Sequence, residues 1–452
     1  MGKSPDSVIM RFLPVIAGSL SIGQGMSEQL QTAPFSLRDY RIVALSVLGG
    51  ALEVYDFIIF VFLSVTIADV FFPPSVPEWL RLVQSLVIFS VGYLARPLGG
   101  IVIAHFADKF GRKHMFNFTV LFMAMPCLLI GVLPGYATIG IWAPLLLLLA
   151  RIVQGAALGG EVPNAWVFVA EHSPKPHRGY ALGLLQAGLT LGYMLAALTA
   201  TLLSRNVSDA ELQQWAWRIP FIIGGIFGFI SVWLRQWLSE TPVFIALQQQ
   251  QQLLQKLPLS AVFRRHKYAA LPAALLTAML VSAVVMTVVV TPIALQKFYG
   301  MDAATTFEIS CIAILFLNVG CVIAGKLADL FGRWQTVALY SVLLAVGTSV
   351  LTLVLDAPPK TLLLGYAIAG LCSGIISAVP AIVVQLFPSA VKVTGISLVY
   401  NLTYSVCSSI MPLALLALLH AHRWGMAVFA WGMMLLGLAT AYLFRHVRCY
   451  SD

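Results

Sequence analysis

Long uncharged runs constrain this chain more than any other feature. Val120–Ala150, Gly179–Ser204, Tyr268–Gln296, Trp334–Leu355, Thr361–Val391, Val393–Leu419 and Trp424–Phe444 each pass without one Asp, Glu, Lys or Arg. Each exceeds the roughly 20 residues a helix needs to cross the hydrocarbon layer. Lipid cannot satisfy backbone amides, so a crossing segment is a helix or part of a closed barrel. The runs are continuously apolar, without the period-two alternation of barrel strands, and that selects helices. Composition agrees: 60% of the residues are hydrophobic and 10% charged, where soluble domains carry about 25% charged residues.

Adding the segments interrupted by single charges predicts twelve spans, at 42–70, 80–106, 115–134, 139–170, 179–204, 217–238, 268–296, 304–328, 335–355, 361–386, 393–419 and 423–445. The net charge of +9 is placed by the loops and does not point to nucleic acid. With both termini on one side, nineteen lysines and arginines fall in segments on that side and six on the other. The positive-inside rule then puts both termini in the cytoplasm. The six cysteines are scattered without CxxC spacing, so neither a disulfide framework nor a metal site is expected, and no cofactor is expected either.

Residues 1–41 form an N-terminal cytoplasmic segment. Its short apolar stretch Val8–Ile22 is broken by Arg11 and Pro14, too short to span and read as interfacial. Residues 42–238 hold six spans, 239–266 a polar cytoplasmic linker with the run Gln248–Gln252, 267–446 six more spans, and 447–452 a tail. The longest segments outside the membrane are too small for a catalytic domain. No Ser/His/Asp, HExxH or Walker pattern occurs, so the chain does not read as an enzyme.

An offset of 221 residues lays Ala104–Arg112 (AHFADKFGR) over Gly325–Arg333 (GKLADLFGR). Asp108, Gly111 and Arg112 meet Asp329, Gly332 and Arg333, each set in the loop after the second span of a six-span half. The expected fold is therefore an all-α membrane protein of twelve transmembrane helices in two six-helix bundles related by a parallel repeat, a plan used by transporters.

This loop resembles the signature of the major facilitator superfamily. More of the chain is similar to its metabolite:proton symporter branch, which includes proline/betaine, oxoglutarate, shikimate and citrate carriers. The residues are Leu52–Phe57 (LEVYDF), Arg96–Gly100 (RPLGG), Arg151–Gly155 (RIVQG) with Gly159–Glu161 (GGE), Trp217–Phe221 (WRIPF), Glu240–Phe244 (ETPVF), Leu386–Pro388 (LFP), Thr394–Ser397 (TGIS) and Tyr400-Asn401. Val54 departs from the Trp usual in that branch, and Val162-Pro163-Asn164 departs from the aromatic and small residues usual after the Glu. The resemblance implies a small-molecule substrate, protons as a second partner, a surrounding lipid membrane, a bacterial inner-membrane location and a monomer. It also implies that the repeated loops, with Asp108, Gly111, Arg112, Asp329, Gly332 and Arg333, brace the two bundles on the inside face.

Ionisable groups within spans cost several kcal/mol unless paired or hydrated, so each is a functional candidate. Glu53 and Asp56 lie three residues apart on one helical face and are the expected proton carriers, with Arg96 or Arg151 as charge partner and Glu161 as a further coupling acid. Arg96 offers a fork of donors suited to a carboxylate. Tyr55, Gln154, Gln296, Tyr400 and Asn401 are the other expected substrate contacts. Aromatics such as Tyr55, Trp166, Tyr193, Tyr366 and Tyr404 could instead box a quaternary ammonium. The function expected is secondary active transport of a small organic carboxylate or zwitterion by proton symport. A uniporter or exchanger with purely structural carboxylates is the alternative, and a membrane sensor is the more distant one.

Overall fold

A computed structural model describes residues 34–237, 240, 241, 245 and 267–446. The interfacial segment, the glutamine run and the tail fall outside the described residues, as do the side chains of Glu53 and Arg112.

Among the described residues, twelve helices are long and apolar enough to cross a membrane. They are α1 Leu37–Phe62, α2 Glu78–Phe110, α3 Lys113–Val132, α4 Trp142–His172, α5 Lys175–Leu203, α6 Leu212–Arg235, α7 Ala269–Lys297, α8 Thr305–Leu330, α9 Arg333–Leu353, α10 Pro359–Leu386, α11 Lys392–Ala421 and α12 Gly425–Phe444. All twelve expected spans have a counterpart, and no strand occurs among the described residues.

Local chemistry sets the ends. Ser36 and Asp39 form a capping box at the start of α1, with the Asp39 carboxylate taking the Ser36 N–H at 2.8 Å, which satisfies donors that the first turn leaves open. The first span is shorter than expected: α1 stops at Phe62, and a separate helix, Ser64–Phe71, follows after Leu63 leaves helical geometry. In α7, Pro292 lacks an N–H and its ring would clash with the carbonyl four residues back. The helix widens just before it into a π turn, Val285–Val290, and the Thr291 hydroxyl donates to the Met286 carbonyl at 2.7 Å.

Glycine lets helices touch backbone to backbone. Gly155 and Gly159 of α4 lie against Gly92 and Arg96 of α2, while Gly183 of α5 lies against Cys321 and Gly325 of α8. Between the bundles the main seams are α2 with α11 and α5 with α8, the same pairing twice once the halves are superposed by their repeat.

Candidate functional site

A cavity lies between the bundles. Val54, Phe57 and Ile58 of α1, Tyr93 and Arg96 of α2, Leu158 and Val162 of α4, and Gln186, Leu189, Thr190 and Tyr193 of α5 line it from the first bundle. The second bundle adds only Leu280, Val284, Tyr400 and Tyr404. Arg96 is the one cationic side chain in this lining. Its guanidinium carbon sits 4.3 Å from the Tyr404 ring centre, 5.6 Å from Tyr400 and 5.7 Å from Tyr93. Three ring faces are thus turned to the protein's own cation.

Asp56 faces the other way, into the first bundle. Its carboxylate accepts from the Gln154 amide at 2.5 Å and from the Cys127 thiol at 2.8 Å, and Arg151 lies 3.8 Å away. Arg151 in turn donates to the Gln154 carbonyl oxygen at 2.9 Å. The rest of its guanidinium is covered by Phe57 and Phe60, at 4.4 and 4.2 Å from the ring centres. The charge partner of Asp56 is therefore Arg151; Arg96, the other expected partner, belongs to the cavity. Phe57 touches both, lining the cavity while covering Arg151.

Glu161 pairs with a residue at the inner end of the sixth expected span, 217–238, that sequence reading had counted only among the cytoplasmic charges. Arg235 is fully buried in the last turn of α6 and reaches Glu161 at 2.8 Å. It also donates to the carbonyls of Leu45, Ser46 and Phe116 at 3.2, 2.9 and 3.0 Å and stacks 3.7 Å over Phe116. The Thr119 hydroxyl bonds the second Glu161 oxygen. An arginine at the end of an apolar run reads as an orientation signal, and only the fold shows that it turns inward. The thiol of Cys127 was likewise invisible, since an isolated cysteine in an apolar run looks like packing.

The repeated loops meet the opposite bundle. Asp108 accepts the backbone N–H and the hydroxyl of Thr394 at 3.0 and 2.8 Å. Asp329 accepts the backbone N–H groups of Gly179 and Tyr180, both at 2.7 Å. Each aspartate therefore caps the N-terminus of a helix across the seam, α11 or α5, where the helix dipole and its open donors favour an anion. Gly111 and Gly332 turn the loops at φ 112 and 98, a conformation that glycine adopts without strain. Arg333 bonds Gln385 within its own bundle. Beside these caps, buried Lys392 of α11 stands 3.6 Å from Glu171 of α4.

Some expected substrate contacts lie elsewhere. The Tyr55 hydroxyl donates to the Pro220 carbonyl at 3.2 Å within the first bundle, and Gln154 belongs to the Asp56 cluster. Asn401 donates to the Gly159 carbonyl at 2.6 Å, with Ser397 beside it at 3.2 Å from the same oxygen, so it stitches α11 to α4. Gln296 sits half-buried at the end of α7 and does not line the cavity. Of the proposed aromatic box, Tyr193 and Tyr404 line the cavity. Trp166 packs 4.9 Å from Tyr400, and Tyr366 bonds the Thr287 carbonyl.

Comparison with known proteins gives matches of different reach. The family described as Major Facilitator Superfamily matches residues 54–412. The inner membrane metabolite transport protein YhjE of Escherichia coli K12 is 31% identical over 404 residues, 86% of this chain and 89% of that protein. The proline/betaine transporter of the same strain is 39% identical over 228 residues, which cover 48% of this chain and 45% of that one. Among solved structures, the proton:xylose symporter XylE bound to 6-bromo-6-deoxy-D-glucose aligns with a TM-score of 0.74 at 17% identity, over 91% of this chain and 96% of that one. At that identity the likeness speaks for the fold alone.

Proposed function

We propose that this chain, which belongs to the major facilitator superfamily and is a metabolite transporter of the membrane, carries a small organic carboxylate or zwitterion by proton symport. One observation carries the reading. Arg96 is the cation of the cavity, and Phe57, which lines the same cavity, also covers the Arg151 of the buried Asp56–Arg151 pair.

An anionic group entering the cavity finds in Arg96 a charge that is already desolvated and held by tyrosine faces, so its bidentate contact loses little to water. Gln186, Thr190 and the tyrosine hydroxyls supply neutral contacts to the rest of the solute, and Leu280 and Val284 close the far side. Proton loading of Asp56 removes its attraction to Arg151. That pair joins α1 to α4, and Phe57 carries the change to the cavity wall. Alternating access follows if the Asp108 and Asp329 caps hold one face shut and release it as the bundles rock. On this reading the gate face is cytoplasmic, as the lysine and arginine distribution implies, and one chain suffices.

A second reading has support from the completeness of the Asp56 cluster. Gln154, Cys127 and Arg151 together satisfy the carboxylate, as a permanent structural pair would require, and the protein would then be a uniporter or exchanger. Uptake of labelled proline, glycine betaine, shikimate, 2-oxoglutarate and citrate into proteoliposomes, with and without an imposed proton gradient, separates the two. Accumulation above equilibrium that a protonophore abolishes is the expected result. Equilibration of a substrate at a rate indifferent to the gradient would establish the second reading.

A further inference from the structure

Arg151 and Arg235 are both fully buried in the first bundle and each stands beside an acid, yet they are held in opposite ways. Arg235 meets Glu161 directly at 2.8 Å, and its Nε, Nη1 and Nη2 all donate to main-chain carbonyls. Arg151 lies 3.8 Å from Asp56, beyond hydrogen-bond length. Its Nη1 donates to Gln154 at 2.9 Å, while Nε and Nη2 have no hydrogen-bond partner among the described residues. The rings of Phe57, Phe60 and Phe89 cover it instead. Ring faces attract the cation without fixing where each N–H points.

Gln154 occupies the gap. Its Nε2 donates to Asp56 Oδ2 at 2.5 Å, and its Oε1 accepts from Arg151. The two neighbours fix which way the amide faces, since a guanidinium only donates and an ionised carboxylate only accepts. An amide carries a donor and an acceptor together, so it satisfies both charged groups while keeping them apart.

We infer that Gln154 is a positioning residue that holds Arg151 off Asp56 and so leaves the acid able to take up a proton. In direct contact the pair would make a charge-assisted hydrogen bond, roughly twice as strong as a neutral one, and each proton taken up would have to break it. With the amide between them nothing is stranded on loading. Protonated Asp56 still accepts the Gln154 N–H, and Arg151 keeps the Gln154 oxygen. Besides these two residues of α4, Asp56 is faced by Cys127 of α3, Tyr55 on its own helix and uncharged Gly224 of α6. Tyr93 of α2 faces Arg151.

The inference rests on Asp56 being the proton site proposed above, and infrared titration of the reconstituted protein tests the two separately. The carboxyl C=O band of Asp56 is assigned by its loss in Asp56→Asn. Gln154→Ala and Gln154→Ser remove the spacer and leave room for the 3.8 Å gap to close. The midpoint of the Asp56 band should then fall by about one pH unit, roughly a tenfold loss of proton affinity, and the pH profile of gradient-driven uptake should move with it. A side chain that served only as a donor to the carboxylate would act with the opposite sign, because its loss disfavours the ionised form. Melting temperatures identify a variant that has lost its fold, and the other variant then decides. A midpoint that stays or rises in the folded variants overturns the spacer role while leaving Asp56 as the proton site. A wild-type Asp56 band that never titrates overturns the reading on which that role rests.

Discussion

The two bundles share a helix plan and a repeated loop, yet their interiors use different chemistry. Inside the first, Asp56 with Arg151 and Glu161 with Arg235 form two buried ion pairs, and Arg96 faces the cavity. Inside the second, the corresponding work is done by neutral groups: Thr287 and Ser373 share a hydrogen bond at 2.8 Å, Ser377 donates to the Cys321 carbonyl at 2.6 Å, and Tyr340 donates to the Gly320 carbonyl at 3.2 Å. A neutral hydroxyl keeps its hydrogen bond at every pH in the physiological range, whereas a buried carboxylate changes charge and must be resolvated or paired. On the function proposed above, one half responds to protons while the other serves as a neutral wall, and only the repeated loops treat the halves as equals.

The comparison breaks most visibly at Asp56. Asp56→Asn keeps the shape and one acceptor oxygen for the Gln154 amide but not the titration, so gradient-driven accumulation in proteoliposomes should vanish while substrate exchange persists. Equal loss of both would make Asp56 a structural residue and the two halves alike in function. Next in size is Arg235→Leu, which leaves Glu161 buried without its partner. Loss of one member of such a pair costs about 3–5 kcal/mol, visible as a large fall in melting temperature of the purified protein. Thr287→Val in the second bundle, which removes only a neutral hydrogen bond, should cost about 1 kcal/mol by the same measurement.

Smaller effects sharpen the contrast at the cavity and the gate. Tyr404→Leu removes the ring nearest Arg96, worth about 1–2 kcal/mol in a desolvated site, and should raise KM for uptake with little change in the maximal rate; Tyr404→Phe, which keeps the ring and loses only the hydroxyl, should raise KM less. The gate caps should be the most nearly symmetric feature. Asp108→Asn and Asp329→Asn each weaken a helix-terminus contact worth about 1 kcal/mol. Spin-label distances across the gate face should show the open population rising by a similar factor in both, with substrate preference unchanged. A change confined to one of them would show that the bundles divide the gate unequally.

The twelve spans and the glycine turns of the repeated loops were legible in the chain, because each depends on a local property: apolar length, or glycine where φ is positive. The candidate site was only half legible. Arg96, Tyr400 and Asp56 were found as rare polar groups within spans. Tyr55, Gln154 and Asn401 were assigned to the substrate because a polar residue in an apolar helix announces a partner without saying which one. Their partners turned out to be a carbonyl of α6, the Asp56 carboxylate and a carbonyl of α4. Arg235 and Cys127 were missed for the converse reason, since each resembles a residue with an ordinary task.

What the sequence determined by itself was that the chain must cross a membrane many times, that it is built twice, and that its buried charges crowd into the first half. Only the tertiary structure decided which way each charge points. Helical periodicity fixes a residue's angle on its own helix, but the facing neighbour depends on how six helices pack. At Asp56 that packing turned the acid away from the cavity and toward Arg151, so the buried ion pair and the cavity are separate places, both bordered by Phe57.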